Sequence, residues 1–262
     1  MAMGNNDSSS RNLYLVCKTS KNPMDHCRVW HSVVNQYSAL NLTKPTDRLA
    51  ALSGIADLIN EMRDGDYLAG LWSNTLVFDL LWTRNRTTKS TNSAASEVTQ
   101  QGDYQWPYTA PSWSWASVDG PISYEWRHPM DKVYCEVVDA ICIPAGESMT
   151  GQVLFGYVKL QCQIVEGRIN GRPATIEIQD QLHEAVFDCY DRSMVGQPVH
   201  VARIAEEGRF DHSLVLHMDL KTSGGTDIRF TRLGRLRHVR DARGLAPGVI
   251  DWPDKMNEIT IV

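Results

Sequence analysis

The sequence predicts an α+β fold, an N-terminal helical block packed on an antiparallel β-rich barrel or sandwich. Three observations predict it. Between Asp25 and Met62 the apolar residues recur at three- and four-residue steps; from Val133 onward they alternate; and a polar stretch from Arg84 to Gln105 separates the two regimes. Runs of unlike elements in succession exclude a doubly wound parallel sheet.

Residues 1–24 read as a flexible tail and residues 25–262 as one domain, divided into a helical block (25–83), an exposed loop (84–105) and a β-rich part (106–262). Met1 to Ser10 is polar, so neither a signal peptide nor an anchor is expected there. Asp25, after Pro23, is the expected cap of a first helix, whose stripe is Cys27, Trp30, Val33, Val34 and Tyr37. Pro45 interrupts. Leu49, Leu52, Ile55, Ala56, Ile59 and Met62 form the stripe of a second helix, ended by Asp64-Gly65. Tyr67 to Trp82 is apolar on more than one face and reads as a buried third helix.

Strands are expected at Val133 to Ile143, Val153 to Val165, Thr175 to Ile178, Val199 to Ile204, Ser213 to Met218, Ile228 to Leu233 and Ile259 to Val262. Gly, Pro and Asp turns separate them.

The 262 residues are 42% hydrophobic and 22% charged, which excludes a disordered polymer, a collagen-like fibre and a coiled coil. No apolar run approaches the roughly 20 residues of a membrane-spanning helix, and the mean hydropathy is −0.32. A net charge of −5 argues against nucleic acid, which demands a basic surface. The expected setting is cytoplasmic, with no membrane or nucleic-acid partner. Arg232, Arg235, Arg237, His238, Arg240 and Arg243 are a local basic exception, read either as a solvated strand and loop or as an anion or RNA contact.

None of the six cysteines has Cys-x-x-Cys spacing or a zinc-finger His, so reduced thiols and no metal are expected. Phosphate-cradling Gly-rich loops, a Gly-x-Ser-x-Gly elbow and His-Glu-x-x-His are all lacking. No cofactor is expected.

The densest chemistry lies in Tyr108-Thr-Ala-Pro-Ser-Trp-Ser-Trp-Ala-Ser-Val-Asp-Gly-Pro121. In a strand, Trp113 and Trp115 share one face and Ser112, Ser114 and Ala116 the other. Paired indoles either fill a core or floor an apolar pocket. In the pocket reading Tyr67, Trp72, Trp113 and Trp115 bind substrate. Asp119, Glu125 and His128, close together in sequence, are the candidate catalytic acid–base groups, and Asp119-Gly120-Pro121 is also turn chemistry.

Several pieces resemble the region C-terminal to the effector domain in fungal heterokaryon-incompatibility (HET-domain) proteins. They are Asp47-Arg-Leu-Ala-Ala-Leu-Ser-Gly-Ile-Ala56, Tyr67-Leu-Ala-Gly-Leu-Trp72, Leu80-Leu-Trp82 and Ala110-Pro-Ser-Trp-Ser-Trp-Ala-Ser117, with the closing Glu258-Ile-Thr-Ile-Val262. The resemblance runs from about residue 28 onward and lacks the family's N-terminal effector domain, so the cell-death activity is not carried over. By analogy with orphan folds recruited to fungal biosynthesis, it suggests a stand-alone secondary-metabolism enzyme. The expectation is a cofactor-independent cyclase or isomerase, such as a Diels-Alderase, acting on an apolar polyene or terpenoid-like substrate. The alternative is a truncated incompatibility recognition module that binds a protein partner without catalysis.

Overall fold

The computed structural model describes residues 15–40, 42, 44–85, 108–125, 130–171, 174–219, 228–239 and 249–262. The expected flexible segments 1–14 and 86–105 lie outside these residues. The rest of the expected tail is ordered: residues 15–19 are helical and Cys17 is buried.

Helix α1, Pro23–Ser38, is capped by Asn22 rather than Asp25; its side chain accepts from the Met24 N–H at 3.0 Å. Pro23 therefore occupies the first helical position, where its missing N–H costs nothing. Cys27, Trp30, His31 and Val34 form the buried stripe. The second helix begins as a 3₁₀ turn, Ala50–Leu52, and only Ser53–Asn60 is α-helical (α2).

The expected third helix is not formed. Tyr67–Leu68 (β1) and Leu71–Trp72 (β2) make a hairpin, followed by one helical turn, Leu76–Asp79 (α3), and the strand Trp82–Arg84 (β3). The two turn residues Ala69 and Gly70 both have positive φ, +46° and +94°, the geometry of a primed two-residue turn. An apolar stretch buried on all sides carries no period, so helix and short buried strands are indistinguishable by pattern. Strand β4, Ile122–Tyr124, pairs with β3.

The remaining strands are β5 (Lys132–Val133), β6 (Cys135–Pro144), β7 (Val153–Cys162), β8 (Ile164–Ile169), β9 (Thr175–Ile178), β10 (Gln181–Phe187), β11 (Pro198–Glu207), β12 (Phe210–Asp219), β13 (Arg229–Val239) and β14 (Asn257–Ile261). In the order β10-β9-β8-β11-β12-β13, closed by β10 against β13, six strands make an antiparallel barrel. The expected strand Val153 to Val165 splits at Gln163: β7 joins β6 and β14 outside the barrel, while β8 enters it. Strand β14 runs parallel to β13 and antiparallel to β7, and β5 pairs with the far half of β11.

Strands β11 to β13 are thus shared between two cores. Val199, Val201, Val215 and Leu236 fill the barrel; Ala202, Ile204, Leu214, Leu216 and Phe230 face the larger core with the helices and the tryptophans. Burial on both faces removes the polar alternation of an ordinary antiparallel strand. The observed architecture is mixed α+β with strands dominating. Among the described residues no helix is long and apolar enough to cross a membrane.

Polar groups are built into this doubly buried sheet. Arg232, Arg235 and His238 are buried, so this part of the basic run is not a solvated strand; Arg240 and Arg243 lie outside the described residues. His212 contacts the Glu207 carboxylate at 2.9 Å through Nε2 and the Arg235 guanidinium through Nδ1. Burial, with Arg235 alongside, pushes the pKa of His212 down, and burial, with His183 alongside, pushes that of His238 down to about 4.

A folded-state pKa below the unfolded value means that the unfolded chain binds more protons as pH falls. Stability is therefore fully present above about pH 6.5 and lost as pH drops toward 4. His238 alone accounts for about 3 kcal/mol at the bottom of that window. Urea denaturation at pH 7 and pH 4.5 checks this, and replacing His238 by Gln reduces the difference, His212 keeping the remainder.

Candidate functional site

The four aromatic residues expected to line a pocket are packed in the core. Tyr67 is 5% exposed, and Trp72, Trp113 and Trp115 are wholly buried. Tyr67 and Trp72 meet edge-to-face at 5.1 Å between ring centroids and both pack edge-on to Trp30, at 5.9 and 5.7 Å. Of the two alternatives for the paired indoles, filling a core is the one adopted.

The segments Tyr67–Trp72 and Ala110–Ser117 lock each other. The Gly70 carbonyl accepts both the Trp30 and the Trp115 indole N–H, at 2.7 and 2.9 Å, and Ser114 Oγ donates to the Ala69 carbonyl at 2.5 Å. The Trp113 carbonyl accepts from Trp82 Nε1 at 2.9 Å. The Trp113–Trp115 stretch is not a strand: Ser114 caps a 3₁₀ turn, Trp115–Ser117.

The expected acid–base group is not brought together. Asp119, with its side chain half exposed, is ion-paired to Arg48 in a turn where Gly120 has φ +96°. Glu125 is exposed beside a polar cavity of about 730 Å³ that Arg209 and Arg237 also line. His128 lies outside the described residues.

The other face of the same motif does line a cavity. Ala110, Ser112, Ser117 and Val118 form one wall of a hollow of about 490 Å³, closed by Phe155 and Gly156 of β7 and Leu233 of β13. A Cβ on Gly156 would stand 2.9 Å from Pro111 Cγ and from the Ile141 carbonyl, so only glycine lets the motif seat against β7. Ser112 ties the wall down: its Oγ accepts from the Arg232 N–H at 3.0 Å and donates to the Val262 carbonyl.

Asp188 and Arg232 are the charged residues in this mostly apolar lining, each 4% exposed. Arg232 Nε donates to Asp188 Oδ2 at 2.8 Å, and Nη1 and Nη2 donate to the Leu80 and Trp82 carbonyls, both at 2.6 Å. The guanidinium lies 3.5 Å over the Trp82 ring. Burial raises the pKa of Asp188 above the ordinary carboxylate value, although Arg232 beside it pulls the other way. A rigidly held, buried carboxyl of raised pKa in the lining of a cavity has the attributes of a general acid or base.

Sequence reasoning missed Asp188, Phe155 and Leu233. The available signal was a charge, Asp188, ending the apolar run Ala185-Val-Phe187, and another, Arg232, inside an alternating strand. All six cysteines are unbridged. No family model, no curated protein and no solved structure matches the chain.

Proposed function

We propose that this chain is a cofactor-independent cyclase or isomerase for a small, apolar polyene or terpenoid-like molecule, held in the hollow behind the Ala110–Ser117 motif. In this reading Asp188 takes the proton-handling role expected of Asp119, Glu125 and His128, and Arg232 fixes its orientation. The observation that carries the reading is an apolar cavity of about 490 Å³ with one buried carboxylate–guanidinium pair in its lining. Its apolar walls fold a flexible chain into a reactive conformation, a contribution of up to roughly 7–11 kcal/mol in well-oriented systems. The resemblance to HET-domain C-terminal regions belongs to the same reading, because one of its motifs, Ala110–Ser117, builds a wall of the hollow. The six unbridged cysteines support a cytoplasmic setting.

Val118→Trp fills the hollow from its rim. Native mass spectrometry and equilibrium dialysis with a linear polyene are expected to show binding that Val118→Trp reduces at least tenfold, with Tm changed by only a few degrees. Undiminished binding in that variant overturns the assignment.

The second reading, a recognition module without catalysis, is favoured by one observation. Val33, Leu40, Ile55, Leu58 and Met62 line an apolar groove of about 480 Å³ between α1 and α2, with Leu40 63% exposed. It requires a stoichiometric protein partner in fungal extract that Leu58→Asp releases and Val118→Trp retains.

A further inference from the structure

Away from the hollow, the structure gathers three potential ligands from distant parts of the chain. Cys27 and His31 lie four residues apart on the buried face of α1, and Asp79 closes α3. Cys27 Sγ stands 3.5 Å from His31 Nε2 and 3.3 Å from Asp79 Oδ1, and His31 Nε2 is 2.7 Å from that same oxygen. All three are buried, and their donor atoms lie within 4.8 Å of one another.

We propose that Cys27, His31 and Asp79 form a zinc-binding site. Thiolate, imidazole and carboxylate are the donors that a borderline-soft divalent ion prefers. Tetrahedral zinc, with bonds of about 2.0–2.3 Å, holds sulfur about 3.5 Å from its nitrogen and oxygen neighbours and nitrogen about 3.3 Å from oxygen. The two edges to sulfur already have that length, and the His31–Asp79 edge opens by about half an ångström.

The carboxylate is also aimed. Its second oxygen, Oδ2, accepts from the Trp72 N–H at 2.8 Å and from Thr75 Oγ1 at 3.0 Å, leaving Oδ1 for the ion. The His31 ring is fixed by stacking on Tyr124 at 3.4 Å, with the planes 4° apart.

The ligands supply two negative charges to the ion, with the Arg63 guanidinium as a neighbouring cation. The Cys27 thiol now donates its proton to Asp79 Oδ1. Zn²⁺ displaces that proton to solvent and forms the Zn–S bond; the proton that His31 Nε2 now directs at Asp79 Oδ1 leaves as well, and the neutral ring carries its proton on Nδ1, so thiolate and carboxylate together offset the charge of the ion. Arg63 keeps its own anchors, the Asn74 and Thr75 side chains and the Trp72 ring at 4.3 Å. Three protein ligands leave the fourth position to water. The site lies outside the proposed substrate hollow, and its test does not depend on that reading.

The chain is expressed in medium containing zinc or, separately, cobalt, then purified in metal-free buffer. We expect one zinc per chain, and in the cobalt form a thiolate-to-cobalt charge-transfer band in the near ultraviolet. Cys27→Ala abolishes both, while Cys189→Ser, at an exposed thiol, keeps both. Substoichiometric metal in the unaltered chain, or a band that survives Cys27→Ala, overturns the proposal. Should Cys27→Ala not fold, Tm of the unaltered chain decides: removing zinc with EDTA lowers it, and an unchanged Tm overturns the site.

Discussion

Arg232→Met destabilises the chain by about 3–5 kcal/mol, measured by urea denaturation at pH 7, because it strips a buried carboxylate of its counter-ion. Asp188 then stands charged in the apolar hollow, and the Leu80 and Trp82 carbonyls lose their donor. Two further measurements separate these contributions. Asp188→Leu in the Arg232→Met background removes the orphaned charge and recovers part of the loss; the unpaired carbonyls keep the remainder. Lowering the pH helps the single variant as well. A carboxyl whose folded pKa lies above its unfolded value gains stability below that pKa, so the penalty of Arg232→Met shrinks as Asp188 takes up a proton. Asp188→Asn keeps the shape and the shorter of the two hydrogen bonds from Arg232, that from Nε. Under the proposed function it loses turnover by more than a hundredfold while still binding the polyene. A penalty for Arg232→Met below 1 kcal/mol means that the pair is not buried as described.

How much of this was written in the sequence varies by element, for physical reasons. Helix α1 was legible because it buries one stripe and exposes the rest; only its cap was displaced, from Asp25 to Asn22. The alternating strands β6 and β14 were legible for the same one-faced reason, although Val133, expected at the start of the first, belongs to β5 and pairs with β11 instead. Strand β10 was not, because its hairpin turn uses Gln179 and Asp180 at φ +50° and +63°, without the glycine that announces such turns. The segment from Tyr67 to Trp82 is buried on every side, and a pattern without a polar face has no period to read. Trp113 and Trp115 stood out as a dense chemical feature and were read as pocket residues as well as core candidates, but whether an indole meets a hollow or another ring depends on contacts some 40 residues away. The pair Asp188–Arg232 and the trio Cys27, His31 and Asp79 are separated by 44 and up to 52 residues, so no local spacing signals them. Only Cys27 and His31, one helical turn apart, left any local trace.

Gly70→Ala is expected to cost more than 3 kcal/mol, although it adds a single methyl group. Two effects combine. The residue holds φ +94°, a conformation that costs an L side chain roughly 1–2 kcal/mol. The new Cβ would also lie 2.6 Å from Trp115 Nε1 and 2.9 Å from its Cε2, closer than carbon atoms tolerate, against an indole that is wholly buried. The ring has no free space to retreat into, and moving it breaks the Trp115–Gly70 hydrogen bond while disturbing the Trp30 bond to the same carbonyl. The cause can be isolated with a double-mutant cycle. Trp115→Phe deletes the atoms that clash, at a cost of its own in cavity and lost hydrogen bond. With Trp115→Phe already present, Gly70→Ala then costs little beyond the backbone strain, so the two changes together are milder than their sum by at least 1 kcal/mol. Additive penalties mean that the glycine serves only the hairpin turn and that the two motifs do not lock through this contact.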